Sequence, residues 1–96
     1  MRLAGRVVAI TGGGSGLGAD ACRLARTRGA REIAVVDRDS VAAERVAAEV
    51  GGTPVTADVS DEQQVRAAVA GVEAEFGQVD VWVHNASCPL TGAPAR

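Results

Sequence analysis

The stretch Val7-Val8-Ala9-Ile10-Thr11-Gly12-Gly13-Gly14-Ser15-Gly16-Leu17-Gly18 joins a continuous apolar run to a glycine-rich segment. Four successive apolar residues are typical of a strand that is buried on both faces, as in a parallel sheet. Glycine lets the backbone approach a diphosphate closely, and the amides and dipole of a following helix favour an anion. The stretch therefore predicts a strand, a phosphate-binding loop and the start of a helix, although glycines alone also suit a tight turn.

The composition is that of one small domain with an aliphatic core. Of the 96 residues, 47% are hydrophobic but only 2% are aromatic, which suits a parallel sheet covered by helices. The formal net charge is −2 and no basic face is evident, so we expect no nucleic-acid partner. No apolar run approaches the roughly 18 residues of a membrane span, so we expect no membrane partner either.

The two cysteines, Cys22 and Cys88, lie far apart and lack the spacing of a metal site. We expect Cys22 to be a small core residue of the first helix, whereas Cys88 falls in a loop. A structural disulfide is not expected, so we assign the chain to the reducing cytoplasm and predict no bound metal.

Strand-like and helix-like patterns alternate along the chain. Apolar runs predict four strands, at Val7–Ile10, at Ile33–Val36, around Val55 and at Val81–His84, with three helices between them. This alternation predicts the α/β class and one domain over residues 1–96, the first part of a doubly wound nucleotide-binding fold of the Rossmann type. Right-handed crossovers give a doubly wound parallel sheet in the order 3-2-1-4, with the first two helices on one face and the third on the other.

Helical periodicity also predicts which side chains face the sheet. We expect inner faces formed by Leu17, Ala21, Leu24 and Ala25 in the first helix, by Val41, Val46 and Val50 in the second, and by Val65, Ala68, Val69, Val72 and Phe76 in the third. Ser60 with Gln63 has the pattern of a capping box before the third helix. Asp39 or Ser40 suits the N-terminus of the second helix.

Within the glycine-rich segment, Gly12, Gly16 and Gly18 are spaced to make close backbone contact with a dinucleotide. Ser15 offers a hydroxyl to a phosphate. The G-x-G-x-x-G pattern fits poorly, because Ala19 stands at its third glycine position. The loop therefore needs support from the residues that end the later strands.

Asp37 ends the second strand, 19 residues after Gly18. An acid at that point accepts hydrogen bonds from both ribose hydroxyls of an adenosine, and its charge repels a 2′-phosphate, so NAD is favoured over NADP. Arg38 weakens this preference, because an adjacent arginine can hold a phosphate, and it is included among the candidate cofactor-binding residues. Asp37 also suits a solvated strand end or a helix cap.

Asp58 and Val59 follow the third strand, at the border of an adenine pocket in this topology. The carboxylate can accept from the adenine amino group and the valine can form an apolar wall, but Asp58 also suits a cap for the helix that begins near Ser60. Asn85 and Ala86 follow the fourth strand, next to the glycine-rich loop, and Ala86 is small enough for a cofactor to pass close to the backbone.

His84 ends the fourth strand and invites a role as general acid or base. A single histidine at a strand end is more often a satisfied structural residue. We therefore assign no catalytic residue within these 96 residues.

In order and spacing, these residues resemble the short-chain dehydrogenase/reductase family. The resemblance runs from about Arg6 to Ser87 and rests on Thr11-Gly12-x-x-x-Gly16-x-Gly18, Asp37, Asp58-Val59, Gly77-x-x-Asp80 and Asn85-Ala86. Members of the family are oxidoreductases that move a hydride between nicotinamide and an alcohol or carbonyl carbon. The resemblance implies a dinucleotide cofactor, an alcohol or carbonyl substrate, and a homo-oligomeric full-length enzyme.

Position by position, the resemblance implies cofactor contacts from Gly12, Gly16, Leu17 and Gly18 in the loop, from Asp37 at the ribose, from Asp58 and Val59 beside adenine, and from Asn85 and Ala86 at the adjoining ribose. It also implies that Thr11 and Asn85 tie the loop to the central strands. One departure is Ser87, where the family's N-N-A-G segment has glycine, a change that bears on the loop beside the cofactor.

The larger departure is that the chain contains no tyrosine and no lysine. Family members have about 250 residues, and their catalytic Ser, Tyr-x-x-x-Lys and Asn come later than the part that this sequence resembles. In that family the tyrosine acts as acid or base, and the lysine lowers its pKa and holds the nicotinamide ribose. We therefore predict a truncated cofactor-binding part that is inactive by itself. The alternatives are a non-catalytic NAD-binding sensor or interaction module, and a gene remnant without function.

Overall fold

The computed structural model describes residues 3–85, in which four strands alternate with three helices. The elements are β1 (Val7–Thr11), α1 (Gly16–Thr27), β2 (Glu32–Asp37), α2 (Ser40–Val50), β3 (Thr53–Thr56), α3 (Glu62–Phe76) and β4 (Val81–His84). The strands form one parallel sheet in the order β3-β2-β1-β4, which confirms the predicted topology and the α/β class. Because neighbouring strands are parallel, each connection must cross a face of the sheet, and each carries a helix.

The register of the sheet aligns the carboxyl ends of its strands along one edge. Thr11 of β1 lies opposite Val36 of β2 and opposite His84 of β4, and Asp37 lies opposite Thr56 of β3. The segments that follow these strands therefore leave the sheet side by side. In open parallel sheets this edge is where ligands bind.

Two apolar cores lie on opposite faces of the sheet. One contains Val8, Ile10, Ile33 and Val35 with buried residues of α1 and α2, and the other contains Val7, Ala9, Ala34 and Val36 with Val72 of α3. Since side chains alternate along a strand, β1 and β2 bury both of their faces, as their apolar runs predicted. The predicted distribution of the helices, two on one face and one on the other, is confirmed.

The sheet-facing side of α1 differs from the side that its largest apolar residues predicted. Leu17 and Leu24 are 76% and 50% exposed, so their assignment to the inner face was wrong. The buried residues of α1 are Gly18, Ala19, Cys22 and Ala25. At Gly18 a side chain has no room, because α1 starts in close contact with the glycine-rich loop. The core position of Cys22, with none of its surface exposed, is confirmed.

The inner side of α2 is also shifted at its first turn. Val41, predicted to be buried, is 66% exposed, and the next residue, Ala42, faces inward instead. Val46 and Val50 are buried as predicted. The small side chain of Ala42 is required there because the first turn of α2 lies close to Gly14.

The predicted inner face of α3 is confirmed. Val72 is buried, Ala68 and Phe76 pack against the same core, and Val65 and Val69 are half-buried. No helix of the described residues, the 15 residues of α3 included, is long and apolar enough to cross a membrane.

Aspartates cap the N-termini of α2 and α3. Asp39 accepts a hydrogen bond from an amide in the first turn of α2, at 3.1 Å, as predicted. Asp61 caps α3, accepting from two amides of its first turn at 3.0 and 3.3 Å. The predicted capping box of Ser60 with Gln63 is therefore wrong. Ser60 is instead held by Asp58, whose Oδ1 accepts from both the amide and the hydroxyl of Ser60.

Replacing Asp61 by alanine removes the acceptor from two amides of α3, and we expect the free energy of unfolding to fall by about 1 kcal/mol. Ser60→Ala is the matched control, since it removes one exposed hydroxyl and no helix cap, and should change stability by less than about 0.5 kcal/mol. Urea unfolding followed by circular dichroism measures both. Equal losses of stability in the two variants would contradict the assignment of Asp61 as the dominant cap of α3.

Candidate functional site

The glycine-rich loop lies across the carboxyl ends of β1 and β2. Gly12 has a φ of 64°, in the left-handed region, and the chain turns there directly after β1. The amide of Gly13 donates to the carbonyl of Val36 at 3.1 Å, which fastens the loop to the end of β2. The loop thus begins at the edge of the sheet where the strand ends converge.

The first turn of α1 packs directly on this loop at Gly18. A Cβ atom at Gly18 would overlap the carbonyl oxygen of Gly12 and would lie 2.8 Å from Nδ2 of Asn85. Nδ2 of Asn85 itself donates to the carbonyl of Gly12 at 3.5 Å. Three predicted site residues therefore meet at one point, and glycine is required at position 18 because backbone occupies the space of a side chain.

Thr11 ties β1 to β4 beneath the loop. Its hydroxyl donates to the carbonyl of Val83 at 3.4 Å and accepts from the amide of Asn85 at 3.0 Å. Thr11 is 1% exposed, so its hydroxyl is shielded from water, while both hydrogen bonds are partly buried. The predicted tie of Thr11 and Asn85 between the loop and the central strands is confirmed.

The N-terminus of α1 differs from those of α2 and α3 in the described residues. Its N-cap residue, Ser15, makes no side-chain cap hydrogen bond, whereas aspartates cap α2 and α3. As in α2, no acid lies in its first turn. Ser15, Gly16 and Leu17 are exposed there, and a Cβ atom at Gly16 would meet nothing within 4 Å. The first amides of a helix and its dipole favour an anion. An exposed, glycine-rich helix start without an acidic cap fits the diphosphate of a dinucleotide.

Asp37 points toward the loop from the end of β2. Its Oδ2 accepts from the amide of Gly14 at 3.0 Å, and its Oδ1 accepts from the amide of Asp39 at 3.0 Å. A carboxylate has about four lone-pair sites, so acceptor capacity remains on this half-buried side chain for two further donors. The vicinal hydroxyls of a ribose are donors of that kind.

Sequence reasoning missed Gly14, whose amide holds the Asp37 carboxylate. The signal for it was present in the run of three consecutive glycines from Gly12 to Gly14. A phosphate loop of this type needs glycine at the contact points for the cofactor. Gly14 matched only the first position of the poorly fitting G-x-G-x-x-G pattern and was not among the predicted contact points. A glycine that cofactor binding does not require indicates that another part of the protein lies close to the backbone at that position.

Asp58 lies in the turn between β3 and α3. Hydrogen bonds from the hydroxyl and amide of Ser60, with a smaller contribution from the charge of Arg38, hold the pKa of the Asp58 carboxyl below its ordinary value. The side chain therefore organises the turn before α3, although Asp61 is the helix cap. Val59, also a candidate for the adenine pocket, is 37% exposed next to it.

His84, for which we predicted a structural role, is the last residue of β4. The ring of His84 is exposed and stacks on the ring of Trp82, with the centroids 5.5 Å apart and the planes at 10°. This stacking agrees with a structural role for His84. Ala86, with Cys88, lies outside the described residues.

Asp80, part of the family-like Gly77-x-x-Asp80 segment, lies at the opposite end of the sheet. Its carboxylate accepts from the amide of Val7 at 2.8 Å, and its own amide donates to the carbonyl of Val7 at 2.9 Å. Asp80 therefore aligns the start of β4 with the start of β1. By fixing the register between β1 and β4, Asp80 helps to place Asn85 beside Gly12 at the other end of these strands.

Cys22 supports the loop from the core side. Its Sγ lies 3.8 Å from the carbonyl oxygen of Gly13, and a Cβ atom on Gly13 would lie 3.2 Å from that sulfur. Burial raises the pKa of the Cys22 thiol to about 11, with a smaller opposing effect from the charge of Arg23. The thiol is therefore a neutral packing group under the loop.

A groove of about 340 Å³ lies between α1 and α2, beside the loop. It is lined by Gly14, Ser15, Gly16, Ala19, Asp20, Arg23, Arg45, Val46 and Glu49. Arg23 at its rim is paired with Asp20 at 2.7 Å and with Glu49 at 2.6 Å. The groove shares Gly14, Ser15 and Gly16 with the glycine-rich loop, and we assign only these loop residues of its lining to the candidate site.

The fold and the loop at the carboxyl edge of the sheet define a nucleotide-binding protein of the doubly wound α/β class. The model of the family described as short chain dehydrogenase matches residues 6–95, which is nearly the whole chain. The chain belongs to the short-chain dehydrogenase/reductase family.

Relatives with known names span a much greater length than this chain. It is 42% identical over 88 residues to the mitochondrial (-)-isopiperitenol/(-)-carveol dehydrogenase of Mentha piperita, covering 88% of this chain and 33% of that protein. It is 42% identical over 90 residues to the D-threitol dehydrogenase of Mycolicibacterium smegmatis, covering 88% and 34%. The chain thus spans about one third of the length of the curated relatives that it matches.

A solved structure shares the arrangement of the sheet and helices. It is the 3-ketoacyl-(acyl-carrier-protein) reductase of Brucella melitensis in complex with NADH, with a TM-score of 0.79 and 44% sequence identity. The match covers 83% of this chain and 34% of that one. Nicotinamide dinucleotide binding is therefore supported for this chain at the level of the family.

Replacing Thr11 by valine should reduce the free energy of unfolding by about 1–3 kcal/mol, because the buried amide of Asn85 loses its acceptor while the side-chain volume is kept. Thr11→Ser is the control, since serine retains the hydroxyl, and it should be less destabilised than valine. Urea denaturation of both variants gives the comparison. A valine variant as stable as the serine variant would show that the tie contributes nothing.

The raised pKa of Cys22 predicts how stability depends on alkaline pH. The thiol has a pKa of about 11 in the folded chain and near 9.0 when unperturbed, so its contribution is complete below pH 9 and is lost as the pH rises toward 11. In a Cys88→Ser chain we expect the free energy of unfolding to fall over this interval by at most about 1.4 kcal/mol per pH unit. The chain has no tyrosine or lysine to titrate in the same range.

The control for this alkaline titration is a chain in which Cys22 is replaced by alanine as well. Its stability should be flat between pH 9 and 11, the interval that the Cys22 thiol defines. Chemical unfolding at each pH, followed by circular dichroism, provides the measurement. The same fall in the presence and absence of Cys22 would mean that the thiol is not its source.

Proposed function

We propose that the chain is the cofactor-binding part of an NAD-dependent oxidoreductase that transfers hydride between nicotinamide and an alcohol or carbonyl carbon. The observation that carries this proposal is the Asp37 carboxylate, held against the glycine-rich loop at Gly14 with acceptor sites to spare. The loop offers helix amides to a diphosphate, and Asp37 offers oxygens to the hydroxyls of the adjacent ribose. Gly12, Gly16, Gly18 and Leu17 would line the diphosphate side of the same cofactor.

Charge supports NAD over NADP. A 2′-phosphate would replace the hydroxyl that donates to Asp37, and two anions would then face each other at hydrogen-bond distance. Ser15 carries no charge that could compensate, and Arg38 is exposed and lies close enough to Asp58 to lower the pKa of that carboxyl. Within residues 3–85, we identify no dedicated cation for a second phosphate at the ribose.

The acid–base pair of the family, a tyrosine and a lysine, has no counterpart in these 96 residues. A hydride transfer at an alcohol carbon needs a positioned acid or base near the reacting oxygen, and the chain has neither tyrosine nor lysine. We propose that these residues bind the dinucleotide and supply no turnover by themselves. The bound nicotinamide would supply the hydride chemistry, while Asn85 and Ala86 would line the ribose that adjoins adenine.

The remaining parts of the proposal rest on the family and the composition. Two relatives carry the names of dehydrogenases of carveol and of threitol, both alcohols, which supports an alcohol or carbonyl substrate. Binding of that substrate, and homo-oligomerisation, would belong to a polypeptide of the length of those relatives. We propose a cytoplasmic location because the sequence does not predict a disulfide between Cys22 and Cys88.

Titration of the purified chain with NAD and NADP tests the proposal. We expect weak binding of NAD, weaker binding of NADP, and a loss of about tenfold or more in NAD affinity for Asp37→Ala, the order expected for hydrogen bonds to a charged group. Glu75→Ala, an exposed change on α3, is the control and should leave affinity unchanged. Calorimetry or the perturbation of amide resonances gives the affinities.

Three results would contradict the proposal in different parts. Unchanged NAD affinity in the Asp37 variant would remove the ribose assignment. Equal affinity for NAD and NADP in the parent chain would remove the cofactor preference. Binding of NAD at micromolar affinity would contradict the view that these residues form only the adenosine side of a larger site.

A further inference from the structure

Four residues connect the glycine-rich loop to the start of α2 through a ring of three hydrogen bonds and one packing contact. The amide of Gly14 donates to Oδ2 of Asp37, and the amide of Asp39 donates to Oδ1 of the same carboxylate. The carboxylate of Asp39 in turn accepts from the amide of Ala42 at 3.1 Å. Ala42 then returns to Gly14 by packing against it.

The packing contact between Ala42 and Gly14 leaves no room for a side chain at position 14. A Cβ atom there would lie 2.7 Å from Cβ of Ala42 and 2.9 Å from Oδ2 of Asp37, both shorter than real contacts allow. Gly14 does not have a positive φ, unlike Gly12 or Gly16, so a left-handed backbone is not the reason for glycine at this position. The reason that the structure gives is lack of space.

Two different parts of the proposed cofactor site therefore depend on one missing side chain. The loop would hold the diphosphate, and Asp37 would hold the ribose. Their separation is set where α2 packs on Gly14 through Ala42. A methyl group at position 14 would displace the Asp37 carboxylate, the first turn of α2, or both, since a packed contact of this kind has no slack.

We propose that Gly14 is a specificity-determining residue, which by lacking a side chain lets α2 and the Asp37 carboxylate close on the loop and so sets the preference for an unmodified ribose. This inference rests on the proposed function. Asp37 discriminates against a 2′-phosphate only while its oxygens stand where the ribose hydroxyls arrive. When the carboxylate is moved away, hydrogen bonds to the diol and repulsion of the phosphate are lost together.

The variants that test this inference form a cycle. Gly14→Ala introduces the methyl group, Ala42→Gly removes the methyl group that it would meet at 2.7 Å, and the double variant combines the two. Gly71→Ala is the matched control, because Gly71 lies in α3 and a Cβ atom there meets nothing within 4 Å. NAD and NADP are titrated into each 96-residue chain, and the ratio of the two affinities is the readout.

We expect Gly14→Ala to weaken NAD binding by about tenfold, the equivalent of one charge-assisted hydrogen bond, with a smaller effect on NADP. The ratio of affinities should therefore shift toward NADP. Adding Ala42→Gly should restore part of the ratio, and Gly71→Ala should leave it unchanged. A general loss of stability would weaken both dinucleotides equally, so the ratio separates positioning of Asp37 from damage to the fold.

Amide hydrogen exchange at residue 14 gives a second readout that needs no ligand. The amide of Gly14 should be protected by its bond to Asp37, unprotected in Gly14→Ala, and protected again in the double variant. An unchanged NAD to NADP ratio in Gly14→Ala, or an unchanged protection pattern, would overturn the inference. A parent chain that binds neither dinucleotide would instead overturn the proposed function, whatever the exchange data show.

Discussion

The close approach of α1 to the glycine-rich loop is the constraint on which the other contacts depend. Gly18 packs on the backbone of Gly12 with no space for a side chain, and Asn85 reaches the same carbonyl from β4. Thr11 adds hydrogen bonds from β1 to the carbonyl of Val83 and to the amide of Asn85. Because three elements meet at this point through backbone and short polar groups, the start of α1 is exposed to ligand while its base is fixed in the sheet.

A second consequence of this approach is the composition of the buried side of α1. A helix held so close to a sheet can present only small side chains to it, and Gly18, Ala19, Cys22 and Ala25 fill that side. Leu17 remains 76% exposed at the helix start, beside the loop. The same geometry therefore shapes the core and leaves an apolar side chain at the edge where a dinucleotide would lie.

The polar residues at the carboxyl edge combine the structural roles described above with the binding roles proposed for them. Asp37 accepts from the loop and from the start of α2, yet a carboxylate keeps further lone pairs for a ligand. Asp58 is occupied by Ser60 and orders the turn before α3. Substitutions at these positions will affect stability and binding together, so a specificity ratio between two ligands is more informative than the affinity for either.

Much of the fold and part of the site followed from local pattern. Apolar runs predicted four strands, and the alternation with helices led to the observed order of the sheet because few topologies satisfy right-handed parallel connections. The tie between Thr11 and Asn85 was also expected, from the family resemblance. The predictions failed where burial was inferred from the size of a side chain, as at Leu24 and Val41. They also failed where a helix cap was inferred from a sequence pattern, as at Ser60.

The amino-acid sequence alone determined the strand and helix pattern, the glycine-rich loop and the acid at the end of β2, since these depend on periodicity, backbone freedom and spacing. Only the tertiary structure decided which side of each helix is buried, which aspartate caps α3, and why position 14 is glycine. Those outcomes depend on the separation between elements that are distant in the chain. Ala42 and Asp37 come within contact distance of Gly14 only after α2 has packed beside the loop.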